Sequence, residues 1–348
     1  MSITARIQGW DGEYVVTRYD RASESWNFIA IHSTRLGPAL GGTRMMRYAD
    51  PSDGLRDAQR LAEGMTHKWA GIDFPLGGGK AVIALSRPLR EGERDGALER
   101  HGELIDKLGG TFSTGADLGV GPELVDVIRR KTRYALGGSA GDPGPYTSLG
   151  VLCSCRAAAA ELFGDDDLTG RTVLIQGLGD VGVPLARRLA EAGADLKLAD
   201  VEARRAETLA AELDGRVVAA QAVYSEPCDI FAPCAVGGVL NAETIPQLRC
   251  RAVCGSANNQ LELDEDAVRL HERSILYAPD FIANAGGAIA LPGFEVMGMS
   301  RAEIEARVES IAGTLAAIFR EARENGESPL AAALRHAEHV LERGALPR

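Results

Sequence analysis

The sequence predicts an α/β chain of two domains, the second of them a doubly wound parallel sheet. Three observations carry this. The length, 348 residues, suits about two domains of ordinary size. From Arg171 onward, short apolar runs alternate with helical stretches, the pattern of parallel strands joined by helices. The run Arg171 to Gln176 leads directly into Gly177-Leu178-Gly179-Asp180-Val181-Gly182, which opens a helix over Val183 to Ala192. A glycine-rich turn between a strand and a helix is the setting of a dinucleotide-binding fingerprint.

Taken in order, Glu13 to Tyr19 and Trp26 to His32 are β-like runs that fit hairpin pairing. Ser52 is expected to cap a helix ending at Lys68. On it Leu61, Met65 and Lys68 share one face, expected to point inward. Three glycines, Gly77 to Gly79, precede a strand from Lys80 to Leu85. A helix from Ala97 to Leu108, a strand from Gly110 to Ser113 and a helix from Pro122 to Arg130 follow. Gly137 to Tyr146 is rich in Gly and Pro, a loop and expected hinge. Thr147 to Phe163 is an Ala-rich helix expected to leave the first domain. In the second domain, Leu196 to Asp200, Arg216 to Ala219, Asp229 to Ala232, Ala252 to Gly255 and Ile275 to Ala278 read as strands. Two helices are expected at the C-terminus. Ser300 and Glu303 form a capping box, and Ile304, Val308, Ile311, Leu315 and Ile318 mark one stripe. Asn325-Gly326 stops that helix, and Ser328-Pro329 starts the last.

Composition narrows the function classes. Hydrophobic residues at 45% and charged residues at 25% are ordinary for a soluble enzyme. A net charge of −11 argues against a nucleic-acid surface. No apolar run reaches membrane-spanning length, and the N-terminus lacks a signal-peptide core. Cysteines at 153, 155, 228, 234, 250 and 254 form no Cys-x-x-Cys pair, so no metal site is expected. A cytoplasmic chain with reduced thiols is the expectation. His336 and His339 have ligand spacing but no third ligand beside them, which fits a solvated helix face.

Two lysines stand in unusual settings. Lys68 lies on the inward-directed helix face, and Lys80 opens a strand behind a glycine turn. A lysine after such a turn is commonly a solvated surface residue. Two inward-directed lysines need anionic partners, and a substrate carboxylate is one candidate. Burial and a second cation lower an amine's pKa, which would let it serve as a base near neutrality. In the glycine-rich turn, Gly177 permits the tight bend, Gly179 lets the backbone approach a pyrophosphate, and Gly182 lets helix and strand touch. Asp200 ends the following strand, where a carboxylate binds ribose hydroxyls and repels a 2′-phosphate. That favours NAD over NADP, although Arg205 nearby could pair with a phosphate. Asp117 follows a strand, where an aspartate commonly caps a helix.

The blocks Gly37-Pro-Ala-Leu-Gly-Gly-Thr-Arg44, Gly64-Met-Thr-His-Lys68, Gly77-Gly-Gly-Lys80, Thr114-Gly-Ala-Asp117, Phe231-Ala-Pro-Cys-Ala235, Gly255-Ser-Ala-Asn-Asn259 and Tyr277 to Gly287 occur in order over nearly the whole chain. Together they resemble the amino-acid dehydrogenase family that includes the glutamate, leucine, valine and phenylalanine enzymes. The resemblance implies an N-terminal substrate-binding and oligomerisation domain (1–140 plus about 322–348), a Rossmann NAD-binding domain (141–321), and an active site in the cleft between them. It implies reversible oxidative deamination of an L-amino acid to its 2-oxo acid plus ammonia.

By the same resemblance Lys80 is the base that activates water and Asp117 its proton partner. Lys68 holds the substrate carboxylate, helped by Asn258 or Asn259. Gly41 and Gly42 leave room for the substrate backbone, and Met65 is placed at the same site. Arg44, Thr147, Val201, Ala235, Val236, Ala257, Asn258 and Asn284 join Gly177 to Gly182, Asp200 and Arg205 in binding the cofactor. An arginine at the offset of Arg205 coexists with NAD use in similar phenylalanine enzymes. The chain departs from the leucine enzymes at Ala116 and Val120, beside Asp117. The side-chain pocket matches at Leu40, Gly115, Ala288 and Leu291. Gly115 and Ala288 are smaller than the residues of the leucine branch, which favours phenylalanine, with leucine or valine as the alternative. One methylene discriminates by only about 1–3 kcal/mol, so broad apolar specificity fits too. A homo-oligomer is expected. A non-catalytic NAD-binding regulator is the reading from another class, but it would need none of Lys68, Lys80 and Asp117.

Overall fold

The computed structural model describes residues 3–90, 92–138 and 142–344. The chain forms two compact units, Met1–Asp142 with Ala337–Arg348, and Pro143–His336.

The first unit begins with α1 (Ile3–Gln8) and the antiparallel hairpin of β1 (Tyr14–Asp20) and β2 (Ser25–Ser33). Then come β3 (Ala39–Leu40), β4 (Thr43–Arg47), α2 (Pro51–Gly71), β5 (Gly77–Leu85), α3 (Glu93–Asp106), β6 (Phe112–Ser113) and α4 (Pro122–Arg129). Strand β5 is the centre. One edge pairs antiparallel with β2. The other edge pairs in parallel first with β3, at Gly77 and Gly78, and then with β4, from Ala81 to Leu85. β6 extends the sheet beyond β3. Both faces of this sheet are covered. Ile29, Ile31 and Ile83 pack with Leu98, Ile105, Val125 and Ile128 on one side. Phe28, Ala30 and Val82 pack with Leu55, Ala58 and Ala62 on the other. Alternate residues of one strand serve opposite layers, which is why these strands read as unbroken apolar runs.

Helix α2 differs from expectation in two respects. Its cap is Asp50, whose carboxylate accepts the Ser52 N–H at 2.7 Å, because Pro51 occupies the first helical position and has no N–H to satisfy. Its buried face is Leu55, Ala58, Ala62, Thr66 and Trp69, whereas Leu61, Met65 and Lys68 lie on a half-buried flank.

The second unit opens with α5 (Gly144–Phe163), three residues earlier than expected. Of the expected hinge, residues 139–141 lie outside the described residues. There follow β7 (Thr172–Gln176), α6 (Gly182–Glu191), β8 (Asp195–Ala199), α7 (Ala203–Leu213), β9 (Arg216–Val217), β10 (Ile230–Pro233), β11 (Ala252–Val253), α8 (Glu265–Glu272), β12 (Leu276–Tyr277), α9 (Asp280–Ala283) and α10 (Gly286–Glu295). The sheet is parallel throughout, in the order β12-β11-β10-β7-β8-β9. The chain thus winds outward one way from β7 and the other way from β10. That is the doubly wound order, and its switch point lies between those two strands.

Three helices close the chain: α11 (Arg301–Glu309), α12 (Ile311–Asn325) and α13 (Pro329–Arg343). The Ser300–Glu303 capping box forms, and Gly326 ends α12 in the left-handed region at φ 64°. The single expected stripe is interrupted at Ser310, whose hydroxyl donates to the Arg307 carbonyl at 2.7 Å and so competes with helix continuation. The return to the first unit falls inside α13 rather than near residue 322, because α12 packs along α5.

All six cysteines are free thiols. Burial pushes Cys153 and Cys234 up to about 11 and Cys228 to about 12, and raises Cys250 further. A hydrogen bond with Cys254, then burial, holds Cys155 well above the usual thiol value. Among the described residues, no helix is long and apolar enough to cross a membrane.

Candidate active site

Lys80 is 6% exposed on β5, opposite Ala30 of β2. The glycines before it let the strand lie flush against its neighbours. A Cβ on Gly78 would stand 2.0 Å from the Thr66 hydroxyl, and one on Gly79 would stand 2.8 Å from the Phe112 ring. Asp117 follows β6 in a tight turn closed by paired backbone bonds between Asp117 and Val120, at 3.1 and 2.9 Å. Gly119 makes that turn at φ +78°, and its Cβ would fall 2.0 Å from the Met45 carbonyl of β4. The carboxylate therefore hangs from backbone pinned to the sheet.

The Lys80 Nζ lies 3.2 Å from Asp117 Oδ1. Burial pushes the Lys80 amine below its ordinary value; Asp117 opposes this, and the Arg44 cation adds to it. Burial works to raise the Asp117 carboxyl, but Lys80 and Arg44 overcome it and hold it below the usual carboxylate range. An ammonium that loses its proton easily beside a permanent carboxylate suits proton exchange with water.

Arg44, expected at the cofactor, is tied to two acids of its own unit. Its Nε donates to Asp117 Oδ2 at 2.7 Å and its Nη1 to Asp57 Oδ2 at 2.8 Å. Tyr48 donates to the same Asp57 oxygen at 2.7 Å. The sequence reading missed Asp57 and Tyr48, and no spacing announces a contact between β4, α2 and the turn after β6.

At Gly41 and Gly42, expected to leave room for substrate, neighbouring backbone approaches closely. A Cβ on Gly41 would stand 1.8 Å from the Gly79 carbonyl oxygen, and one on Gly42 would stand 2.4 Å from that of Ala116. Leu40 is buried, with its carbonyl accepting the Trp69 indole N–H at 3.1 Å. Gly115 is buried, and its carbonyl accepts the Thr43 N–H at 2.9 Å. Met65 and Lys68 stay half-buried on α2. Behind β4 runs a buried polar chain. His101 contacts Asn27 at 2.8 Å and Thr43 at 3.2 Å, Thr43 contacts Thr114 at 2.7 Å, and Thr114 donates to the Gly41 carbonyl at 3.2 Å. Burial, and then the Arg18 cation, lower His101 to about 3, so the ring is neutral.

In the second unit the glycine-rich turn sits at the switch point. Gly177 adopts φ +93°, and its Cβ would lie 2.7 Å from that of Ala235, just past β10. A Cβ on Gly182 would stand 2.0 Å from the Gly177 carbonyl oxygen, whereas one on Gly179 would meet nothing within 4 Å. Asp180 is exposed and Val181 half-buried at the start of α6. Asp200 accepts the Leu178 N–H at 2.7 Å and the Glu202 N–H at 2.9 Å. Arg205 lies 3.9 Å from Asp200 and 2.9 Å from Glu202. Val201 and Val236, at the C-terminal ends of β8 and β10, are 96% and 64% exposed. An open approach at Gly179, a helix N-terminus, a carboxylate at the strand end and uncovered apolar side chains fit a dinucleotide.

Other expected residues of this unit are bound to one another. Asn284 donates to Asn258 Oδ1 at 2.8 Å and to the Ala257 carbonyl at 3.4 Å. Thr147 accepts the Gly287 N–H at 3.2 Å. Asn259 is in the left-handed region at φ 51°, and its carbonyl accepts the Gly238 N–H at 2.7 Å. Ala288 and Leu291 share a half-buried face of α10.

A doubly wound sheet with that turn, in a chain that also holds a buried lysine beside a half-buried aspartate, is the arrangement of a dinucleotide-dependent oxidoreductase. Residues 17–134 match the family model for the Glu/Leu/Phe/Val dehydrogenase dimerisation domain. Residues 196–343 match that for glutamate/leucine/phenylalanine/valine dehydrogenase. Leucine dehydrogenase of Thermoactinomyces intermedius is 40% identical over 347 residues, covering 98% of this chain and 94% of that protein. Phenylalanine dehydrogenase of Lysinibacillus sphaericus is 40% identical over 341 residues, covering 95% and 88%. The crystal structure of L-tryptophan dehydrogenase from Nostoc punctiforme matches with a TM-score of 0.88 and 38% identity, covering 98% of each chain. The chain belongs to the Glu/Leu/Phe/Val dehydrogenase family. It is an amino-acid dehydrogenase, an NAD(P)-dependent oxidoreductase.

Proposed function

We propose that the chain oxidatively deaminates an apolar L-amino acid, with phenylalanine the leading substrate and NAD the cofactor, and that it catalyses the reverse amination. The pair of buried Lys80 and half-buried Asp117, 3.2 Å apart, carries this reading. NAD held at the Gly177–Gly182 turn and Asp200 would supply the acceptor for a hydride from the α-carbon. Lys68 supplies a cation for the α-carboxylate. Neutral Lys80 takes a proton from water as its oxygen adds to the imine carbon, and Asp117 steadies the ammonium so formed. The proton then returns to the departing nitrogen. Amino acid, NAD and water give 2-oxo acid, ammonia, NADH and a proton.

The substrate class is supported by relatives named for leucine, tryptophan and phenylalanine, all apolar, at similar identity. The small residues Gly115 and Ala288 favour a large side chain, whereas the leucine relative favours leucine or valine as the second reading. NAD is supported by Asp200 at the end of β8 and by Arg205, which Glu202 and Asp200 hold. A homo-oligomer is supported by the name of the matched N-terminal model. A cytoplasmic location is the reading that six free cysteines fit.

The deciding experiment is NADH formation over all twenty amino acids at alkaline pH, with Lys80→Ala alongside. Activity with apolar substrates that Lys80→Ala abolishes, with NADH binding retained, is the expected result. A mutant kcat within a few-fold of the parent removes Lys80 as the base. The phenylalanine-to-leucine ratio of kcat/KM falls in Gly115→Ala and in Ala288→Val if each position limits side-chain size.

A further inference from the structure

Arg44 stands between two carboxylates, with one arm on Asp117 and another on Asp57. The second oxygen of Asp117 faces the Lys80 amine. We propose that Arg44 is a positioning residue for the reaction, which holds Asp117 by one oxygen, leaves the other to Lys80, and keeps the carboxylate paired when Lys80 gives up its proton. The inference rests on Lys80 and Asp117 being the working pair.

Charges alternate along the row: Lys80, Asp117, Arg44, Asp57. In a two-member pair, a neutral Lys80 would abandon a half-buried carboxylate, and charge left unpaired away from bulk water is costly. The proton would then stay on the amine, and an ammonium cannot act as the base. A guanidinium keeps its charge at every working pH, so Asp117 has a cation in both states of Lys80. Its planar fork also fixes direction, which a flexible ammonium would not. The far arm is anchored. Asp57 on α2 accepts from Tyr48 on the same oxygen and from Arg60 on the other, at 3.1 Å. Asp53 and Arg56 complete the charged lining of the adjoining depression, about 570 Å³ in volume.

The test is the pH profile of kcat/KM for deamination in the parent and in Arg44→Met, Arg44→Gln and Arg44→Lys. Removing the Arg44 charge leaves Asp117 free to hold the ammonium, so the acid limb moves to higher pH. The expected displacement is about one unit or more in both neutral variants. Arg44→Lys keeps the charge, so its limb stays near the parent while kcat falls. Substrate ionisations are common to all four proteins, so the difference reports the enzyme. Arg44→Gln can still hydrogen-bond both acids and carries the test should Arg44→Met fail to fold. An unmoved limb in a folded neutral variant overturns the inference, as does a defect confined to the KM for NAD. The underlying reading fails separately: Lys80→Ala with parental kcat removes the pair itself, whereas an inactive Lys80→Ala with an unmoved Arg44 limb removes only the role of Arg44.

Discussion

At Lys80 the competing effects can be ranked. Burial disfavours the ammonium, Asp117 favours it, and Arg44 disfavours it, with a net displacement downward. Lys68 is in a different setting, half-buried on a flank of α2. Lys68→Ala is expected to raise the KM for the amino acid more than it lowers kcat, because a carboxylate contact is uniform between ground and transition states. An unchanged KM takes Lys68 out of the site. His101 gives a stability prediction. Its folded value, about 3, lies below the ordinary 6.5, so the unfolded chain binds more protons between these limits. Its contribution is fully present above about pH 6.5 and is lost as pH falls toward 3, at no more than about 1.4 kcal/mol per pH unit. His101→Gln should flatten the acid side of a denaturation-midpoint profile; parallel profiles would show that the ring is not held neutral. In the sequence, Lys80 was singled out by its place behind three glycines, whereas Asp117, whose local pattern reads as a helix cap, was singled out only through the family resemblance. The bridge from Arg44 to Asp117 was not legible, since it joins residues 73 apart through a fold that local pattern does not encode.

Among elements, the glycines separate two uses of a missing side chain. Gly182 is closed by backbone 2.0 Å from its Cβ position, whereas Gly179 faces open space. Gly182→Ala should lower the denaturant midpoint, with overpacking costing about 1–3 kcal/mol. Gly179→Ala should leave the midpoint unchanged while weakening NADH binding, read by fluorescence titration. Equal loss of stability in both would show that Gly179 also packs within the fold. The strands of the second unit were readable because buried parallel strands are short apolar runs between turns. Strand β4, Thr-Arg-Met-Met-Arg, carries no such run and exists because β5 offers it an edge. Helix α10 begins with two glycines and contains Pro292, a composition that reads as loop, and its packing against α5 overrides that. Asp50 displaced Ser52 as a cap for a local reason, the proline between them.

Over the whole molecule, each unit has its own core, and the dinucleotide features belong to one of them. NADH at about one hundred times its Kd should stabilise the chain by about 2.7 kcal/mol through mass action. Scanning calorimetry with and without NADH reads this as a rise in Tm, and an unmoved trace counts against the cofactor assignment. Replacing Asp200 with Ser should narrow the gap in kcat/KM between NAD and NADP. It also releases the Leu178 N–H, so both values are expected to fall, NAD the more. A parent that already prefers NADP would contradict the assignment.

The free thiols have a practical side. Five of the six are held well above the usual thiol value, and none is exposed. Reaction with maleimides or iodoacetamide needs the thiolate. Near neutral pH the native chain is thus a quiet background for site-specific labelling. A single cysteine placed at an exposed position, such as Val201 or Leu263, should take a fluorophore far faster than any native thiol, with none of the six removed.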